Sequence, residues 1–194
     1  MNTSPVLLIL AGGRGERAGI PKGLIEFNAR PWLEQQIRAY QEISTEPPVI
    51  VLGFRHDDYF AAMPWLSKAN VVINAHPERG QFSSLQAGLK KAQGRDVFVL
   101  PIDVPVCDTE VFKKLEEALK RGAQACVPTW QDRGGHPVLL SRALVEKLST
   151  YPQAARLDEE LKKLPSQEVV RVAVEDARVC MNINTTDDWK RFTA

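Results

Sequence analysis

Charge of one sign is what this sequence most plainly lacks. Its 25 lysines and arginines are offset by 24 aspartates and glutamates, for a formal net charge of +1. A protein that binds nucleic acid over a broad surface carries a basic excess or stripe. Nucleic acid is therefore not an expected partner, and any phosphate must be held by a few placed cations. Cysteine is scarce as well. Cys107, Cys126 and Cys180 form no CxxC pair and no metal-type spacing. Such an odd, scattered set suits a reducing compartment, with the three side chains as small hydrophobes. Long apolar runs are missing too. Val6-Leu7-Leu8-Ile9-Leu10 is far too short to span a bilayer. It has no basic flank before it and no small-residue cleavage site after it, so it does not read as a signal peptide. A cytoplasmic protein that uses no membrane is expected.

What is present is ordinary in bulk and informative in pattern. At 194 residues, 44% hydrophobic and 25% charged, the chain fits one domain over 1–194 with one sizeable core. Aliphatic runs at Val6 to Leu10, Val49 to Leu52, Val71 to Ile73, Val97 to Leu100 and Ala125 to Val127 are nearly continuous, as in strands covered on both faces. Between them, Trp32, Leu33, Gln36, Ile37 and Tyr40 space as one helix face. Leu85, Leu89 and Ala92 do the same, as do Val111, Leu115, Ala118 and Leu119. This alternation predicts an α/β fold, a mostly parallel sheet with helices on both faces. After Thr129 it breaks. A turn at Gly134-Gly135-His136-Pro137 leads to a strand at Val138 to Leu140. Helices near Arg142 to Leu148 and Ala154 to Leu164 follow, then a strand from Val169 to Val174. Asn182 to Thr186 is a polar turn before a last helix carrying Trp189 and Phe192. In such sheets ligands bind where strands end and loops enter helices.

Two motifs lie at those loops. Ala11 to Gly23 directly follows the first strand. Gly12, Gly13 and Gly15 remove side chains where backbone must curl or approach a ligand. Successive amides in such a loop cradle phosphate oxygens. Arg17 and Lys22 add two cations, and Pro21 stiffens the chain just before Lys22. Neither GxxxxGK[ST] nor a complete GxGxxG is present: Gly23 follows Lys22, and Ala18 takes the third glycine's place. A glycine-rich turn with solvated charges is the plainer alternative, and the cations after a buried strand favour an anionic ligand over it. The second motif, Leu100-Pro101-Ile102-Asp103-Val104-Pro105, ends a strand on a carboxylate between prolines. Magnesium binds through one or two carboxylates and completes its shell with phosphates and water, which suits Asp103. Capping the next helix is the competing role, but Asp108 or Thr109 is expected to serve there.

Together these motifs resemble the nucleotidyltransferases of molybdenum cofactor synthesis, the guanylyl- and cytidylyltransferases. More distantly they resemble the sugar-phosphate and methylerythritol-phosphate nucleotidyltransferases. The resemblance spans almost the whole chain in order. Leu10 to Lys22 matches LAGGxGxRxGxxK, and Lys22 to Phe27 matches the segment after it. Gly80 to Leu89 resembles the loop and helix that hold base and ribose in the cytidylyl branch. Ile102-Asp103-Val104-Pro105 resembles the metal motif, and Gly135-His136-Pro137 the loop facing the second substrate. Asn182-Ile183-Asn184-Thr185 resembles the late turn that closes on metal and phosphates.

The resemblance implies a single-domain, Rossmann-like three-layer sandwich of the nucleotide-diphospho-sugar transferase type. It implies Mg²⁺-dependent transfer of CMP or GMP from CTP or GTP to a phosphorylated small-molecule acceptor, with molybdopterin first among these, and release of pyrophosphate. Arg17, Lys22 and Asp103 are the implied catalytic residues. Leu10, Ala11, Gly12, Gly13, Gly15, Ser83 and Ser84 are implied to bind nucleotide. Gly135 and His136 are implied to meet the acceptor, and Asp103 with Asn184 to hold Mg²⁺. Departures from the pattern are specific. Asn182 and Asn184 stand where the cytidylyl branch often has aspartates, and an amide carbonyl ligates without bringing charge. Gly15 replaces a serine-like position, and Ala18 a methionine. The Leu10-Ala11-Gly12-Gly13 opening is guanylyl-like, whereas Ser83-Ser84 and Gly135-His136-Pro137 are cytidylyl-like, so the base stays open. A sugar-phosphate or other phospho-alcohol nucleotidyltransferase is the alternative within the class. A non-catalytic nucleotide-binding regulatory domain is the alternative outside it. The sequence is compatible with a monomer.

Overall fold

Strand and helix alternate from the start of the chain. The structure, a computed structural model, describes residues 4–15, 19–152, 155–185, 188 and 192. Its elements in order are β1 (Val6–Ala11), β2 (Glu26–Phe27), β3 (Arg30–Pro31), α1 (Trp32–Gln41), β4 (Val49–Leu52), α2 (His56–Ala62), β5 (Val71–Ile73) and α3 (Gln81–Lys91). Then come β6 (Val97–Pro101), α4 (Thr109–Lys120), β7 (Ala125–Trp130), β8 (Arg133–Gly134), β9 (Val138–Leu140), α5 (Arg142–Ser149), α6 (Leu157–Lys162) and β10 (Val169–Ala173). The main sheet runs β10-β7-β9-β6-β1-β4-β5, with β8 paired to β7. β1 pairs in parallel with β4 and β6, β4 with β5, and β7 with β10. β9 runs antiparallel between β6 and β7. β2 and β3 form a separate small hairpin.

The aliphatic runs are continuous because each strand faces two helix layers. On one side Leu7, Ile9 and Ala11 pack with Trp32 and Tyr40 of α1, Tyr59 of α2 and Phe112 of α4. On the other, Leu8 and Leu10 pack with Leu85 and Leu89 of α3, Leu144 and Leu148 of α5 and Leu161 of α6. Every residue of β1 is buried, and each such aliphatic side chain contributes about 1.5–3 kcal/mol. The result is the three-layer α/β arrangement that the alternating pattern predicts. Among the described residues no helix is long and apolar enough to cross a membrane.

Several local expectations differ from the structure. β7 does not stop at Val127 but continues through Pro128 to Trp130. Proline breaks a strand when a ladder partner needs its N–H. Pro128 falls in a gap, since β9 pairing ends at Cys126 and β8 pairing begins at Thr129. The turn joining β7 to β8 is Gln131-Asp132, both with positive φ, the geometry that fits a twisted two-residue hairpin. Asp108 occupies the N-cap position of α4 but makes no side-chain cap bond; its carboxylate is taken by Arg178. Helix α6 begins at Leu157, and the expected start at Ala154 lies outside the described residues. So do Thr186 and Trp189 in the polar turn and expected last helix. Phe192 packs edge-on against Trp32, with ring centroids 5.4 Å apart.

Candidate active site

The site is built where β1 and β6 end side by side. Leu10 pairs with Pro101, and Ile102 N–H donates to Leu10 O at 3.0 Å. The glycine loop therefore begins within one residue of the acidic motif's first turn. Gly12 leaves the sheet through a narrow gap, where a Cβ would stand 2.9 Å from Ser84 Oγ and 3.4 Å from Gly53 N. Gly15 takes φ +69°, and a side chain there would meet Ile20 O at 2.4 Å. Any other residue at Gly15 would push the loop off its course, and a side chain at Gly12 would force the Ser84 hydroxyl aside. Beyond it, Pro21 starts a 3₁₀ turn at Lys22–Leu24. Tyr59, whose hydroxyl burial pushes up to about 12, accepts from Gly23 N–H at 3.3 Å. Lys22 is thus delivered from a fixed backbone.

Its ammonium meets two oxygens. Lys22 Nζ lies 2.9 Å from Asp103 Oδ2 and also donates to Asn184 Oδ1. The Lys22 and Asp103 side chains are 29% and 25% exposed. Ion pairs open to water contribute only about 0.2–1 kcal/mol, so fold stability does not account for this one. Three sequence-distant positions, 22, 103 and 184, thereby converge over the glycine loop. Gly12, Gly13, Gly15, Lys22, Ser84 and Asp103 line one cleft of about 430 Å³. Arg14 lines it too, with its guanidinium 4.4 Å above the Phe54 ring. Arg17 and Ala18 lie outside the described residues.

The acidic loop is held from below by α1. Trp32 Nε1 donates to Ile102 O at 2.7 Å. One turn on, buried Gln36 donates to Val104 O at 3.2 Å and accepts from Val106 N–H at 2.7 Å. Gln36 stands on the helix face read as apolar in the sequence, and a polar residue there was the available sign of this task. Replacing it with leucine strands a buried amide and a buried carbonyl. Gln36→Leu is expected to lower the unfolding free energy by about 1–3 kcal/mol in urea titration. An unchanged midpoint would show that the loop does not depend on this clamp.

The serine pair is divided. Ser83 Oγ donates into the preceding turn, to Gly80 O at 2.7 Å and His76 O at 3.1 Å. Ser84 Oγ faces the cleft. Both accept from buried Asn74 Nδ2, at 2.8 and 2.9 Å. Asn74 follows β5 at the same sheet edge at which Asp103 follows β6.

A second, larger pocket of about 1100 Å³ adjoins the cleft, sharing Leu10, Gly80, Gln81 and Pro101 as its wall. Gly135 and His136 line it. His136 N–H donates to Val179 O at 2.8 Å, and Nδ1 lies 3.2 Å from Val99 O. Burial holds its imidazole below the ordinary value, although Asp103 is near enough to favour the charged form. Exposed Arg171 on β10 also lines the pocket and makes no ion pair among the described residues.

A glycine-rich loop, a lysine and a carboxylate thus meet at the carboxyl edge of a doubly covered sheet. The pattern of the MobA-like NTP transferase domain matches residues 7–170, and the chain belongs to that family. It is 32% identical over 200 residues to the molybdenum cofactor guanylyltransferase of Ralstonia nicotianae, covering 95% of this chain and 94% of the relative. Among solved structures it resembles Rv0371c from Mycobacterium tuberculosis H37Rv, with TM-score 0.80 and 22% identity over 98% of both chains. The same mycobacterial protein in complex with manganese gives 0.74 and 22% over 97% of both chains. The chain is thus an enzyme of the nucleotidyltransferase class.

Proposed function

We propose that this protein transfers GMP from GTP to the phosphate of molybdopterin, releasing pyrophosphate, with Mg²⁺ as cofactor. The observation that carries the reading is the convergence of Lys22, Asp103 and Asn184 over the Gly12–Gly15 loop. The donor set suits a hard cation: one carboxylate and one amide carbonyl share a position that already accommodates a positive charge. Among the described residues no cluster of three His, Cys, Asp or Glu could enclose a metal alone. Magnesium is commonly held by one or two protein carboxylates and completed by phosphates. A mycobacterial protein of similar fold has been solved in complex with manganese, which supports a divalent ion as cofactor. When bound there, the cation would neutralise charge on the reacting phosphates.

The chain's own residues would align and neutralise. Amides of Gly12 to Gly15 and the ammonium of Lys22 would hold the triphosphate, with Leu10 and Ala11 flanking it and Ser84 reaching the nucleoside. Arg17 is assigned to the same triphosphate by its place in the motif. An acceptor phosphate oxygen would attack the α-phosphorus, forming the new O–P bond as the bond to the β-phosphate oxygen breaks and pyrophosphate leaves. That nucleophile is already anionic near neutral pH, so no general base is required. Gly135 and His136 would face the acceptor in the larger pocket. His136, neutral through burial, would act by hydrogen bonding.

A second base is favoured by specific residues. The Ser83-Ser84 and Gly135-His136-Pro137 segments resemble the cytidylyl branch, which makes CTP the alternative donor. Pyrophosphate release measured with the four triphosphates, Mg²⁺ and molybdopterin, beside a panel of sugar phosphates, decides between them. Release with GTP and molybdopterin is expected. Release with CTP would change the base, release with a sugar phosphate the acceptor, and binding without release would indicate a regulatory domain.

Arg171 provides a separate check on the acceptor pocket. A hydrogen bond to a charged group contributes about 1.5–3 kcal/mol, or roughly tenfold and more in binding. Arg171→Ala is expected to raise KM for the acceptor about tenfold and leave KM for the triphosphate unchanged. If both constants stay at wild-type values, the acceptor phosphate is held elsewhere.

A further inference from the structure

After β10 the chain passes through a 3₁₀ turn at Ala177–Cys180 and touches each part of the site. Val179 O accepts from His136 N–H at 2.8 Å, beside the larger pocket. Cys180 Sγ donates to Arg133 O at 3.2 Å. Ile183 N–H donates to Asp103 O at 2.7 Å, and Asn184 Oδ1 accepts from Lys22. Where Asn184 stands relative to Asp103 therefore depends on how this segment is anchored.

Asp188 Oδ2 accepts from Asn184 N–H at 3.0 Å and Thr185 N–H at 2.8 Å, holding the turn locally; Arg178 ties it to the loop after β6. Its Nε donates to both oxygens of Asp176, at 2.9 and 3.1 Å. Its Nη2 reaches Asp176 Oδ2 at 2.8 Å and also pairs with the Asp108 carboxylate. Asp108 N–H donates back to Asp176 Oδ2 at 2.8 Å, closing the network. The Asp176 side chain is only 8% exposed. One guanidinium thus joins the loop after β6, which carries Asp103, to the loop after β10, which carries Asn184. A planar fork can bridge two carboxylates in fixed geometry, whereas a lysine ammonium is a point charge on a flexible stem.

We propose that Arg178 is a positioning residue that sets the Asn182–Asn184 turn against the Asp103 loop and thereby sets the affinity for the divalent cation. This rests on the reading of Asp103 and Asn184 as the cation's ligands. Partners that orient metal ligands typically change affinity by about 10–100-fold when removed.

The test is binding of Mn²⁺ alone to the full chain, followed by loss of the free-ion EPR signal. Wild type is compared with Asp103→Asn, Asn184→Ala, Arg178→Lys, Arg178→Met and the Arg178→Met/Asn184→Ala double variant. Both Arg178 variants are expected to weaken Mn²⁺ binding about tenfold. In the Asn184→Ala background, Arg178→Met is expected to add less than about twofold, because residues acting through one another are not additive. General structural damage would add in full, and additive losses overturn the proposal. If Arg178→Met does not fold, Arg178→Lys and an Arg178→Lys/Asn184→Ala double variant carry the same cycle. Wild-type affinity in the Arg178 variants, with binding lost in Asp103→Asn, overturns this proposal alone. Wild-type affinity in Asp103→Asn overturns the ligand assignment and the proposal with it.

Discussion

Lys22→Ala should lower turnover by about 10²–10³-fold, the usual cost of removing one aimed electrostatic group. The fold should stand, because the Lys22–Asp103 pair is partly open to water and contributes little to stability. Pro21 and the 3₁₀ turn that hold the backbone are untouched. Cation binding should move the other way. The ammonium lies on Asp103 and Asn184, so Mn²⁺ should bind Lys22→Ala more tightly than wild type. Steady-state kinetics beside Mn²⁺ titration separates the two effects. Near-normal turnover would remove Lys22 from catalysis. Weakened Mn²⁺ binding would mean that the lysine orders the site rather than competing for its oxygens.

Asp103→Asn should lower turnover as well, with the opposite effect on cation binding. The amide keeps the shape, and the main-chain bond from Ile183 to residue 103 does not involve the side chain. Thermal unfolding should therefore stay near wild type. What disappears is the carboxylate. Several kcal/mol of charge stabilisation are at stake when a bound cation is lost, and each 1.4 kcal/mol is tenfold in rate. Turnover should fall by about 10³-fold or more, and Mn²⁺ binding should drop below measurement. Activity within tenfold of wild type would place the cation on other residues.

The layering was legible because continuous aliphatic runs mean strands covered on both faces, and Leu7, Leu8, Ile9 and Leu10 divide their burial between two helix layers. Helix α2 was not legible. Only Tyr59 of its seven residues is buried, so no apolar stripe marks it. The reversed course of β9 was also hidden, since Val138-Leu139-Leu140 is equally aliphatic in either direction. Individual candidate positions could be named from glycines, cations and a strand-ending carboxylate. Their supports could not. Gln36 and Arg178 act across 70 residues of sequence, and nothing local in either segment announces the other.

The reversal of β9 has an outcome for how such an enzyme can diversify. A parallel strand in its place would send the residues before it to the far edge of the sheet. Running backward, β9 starts at the ligand edge, so Gly135 and His136 arrive from a short hairpin excursion beginning at Gln131. The donor half, by contrast, hangs on β1, β4 and β6 and their ladders. On the proposed reading of Gly135 and His136, substitutions or length changes in the hairpin tip would act first on what the protein modifies.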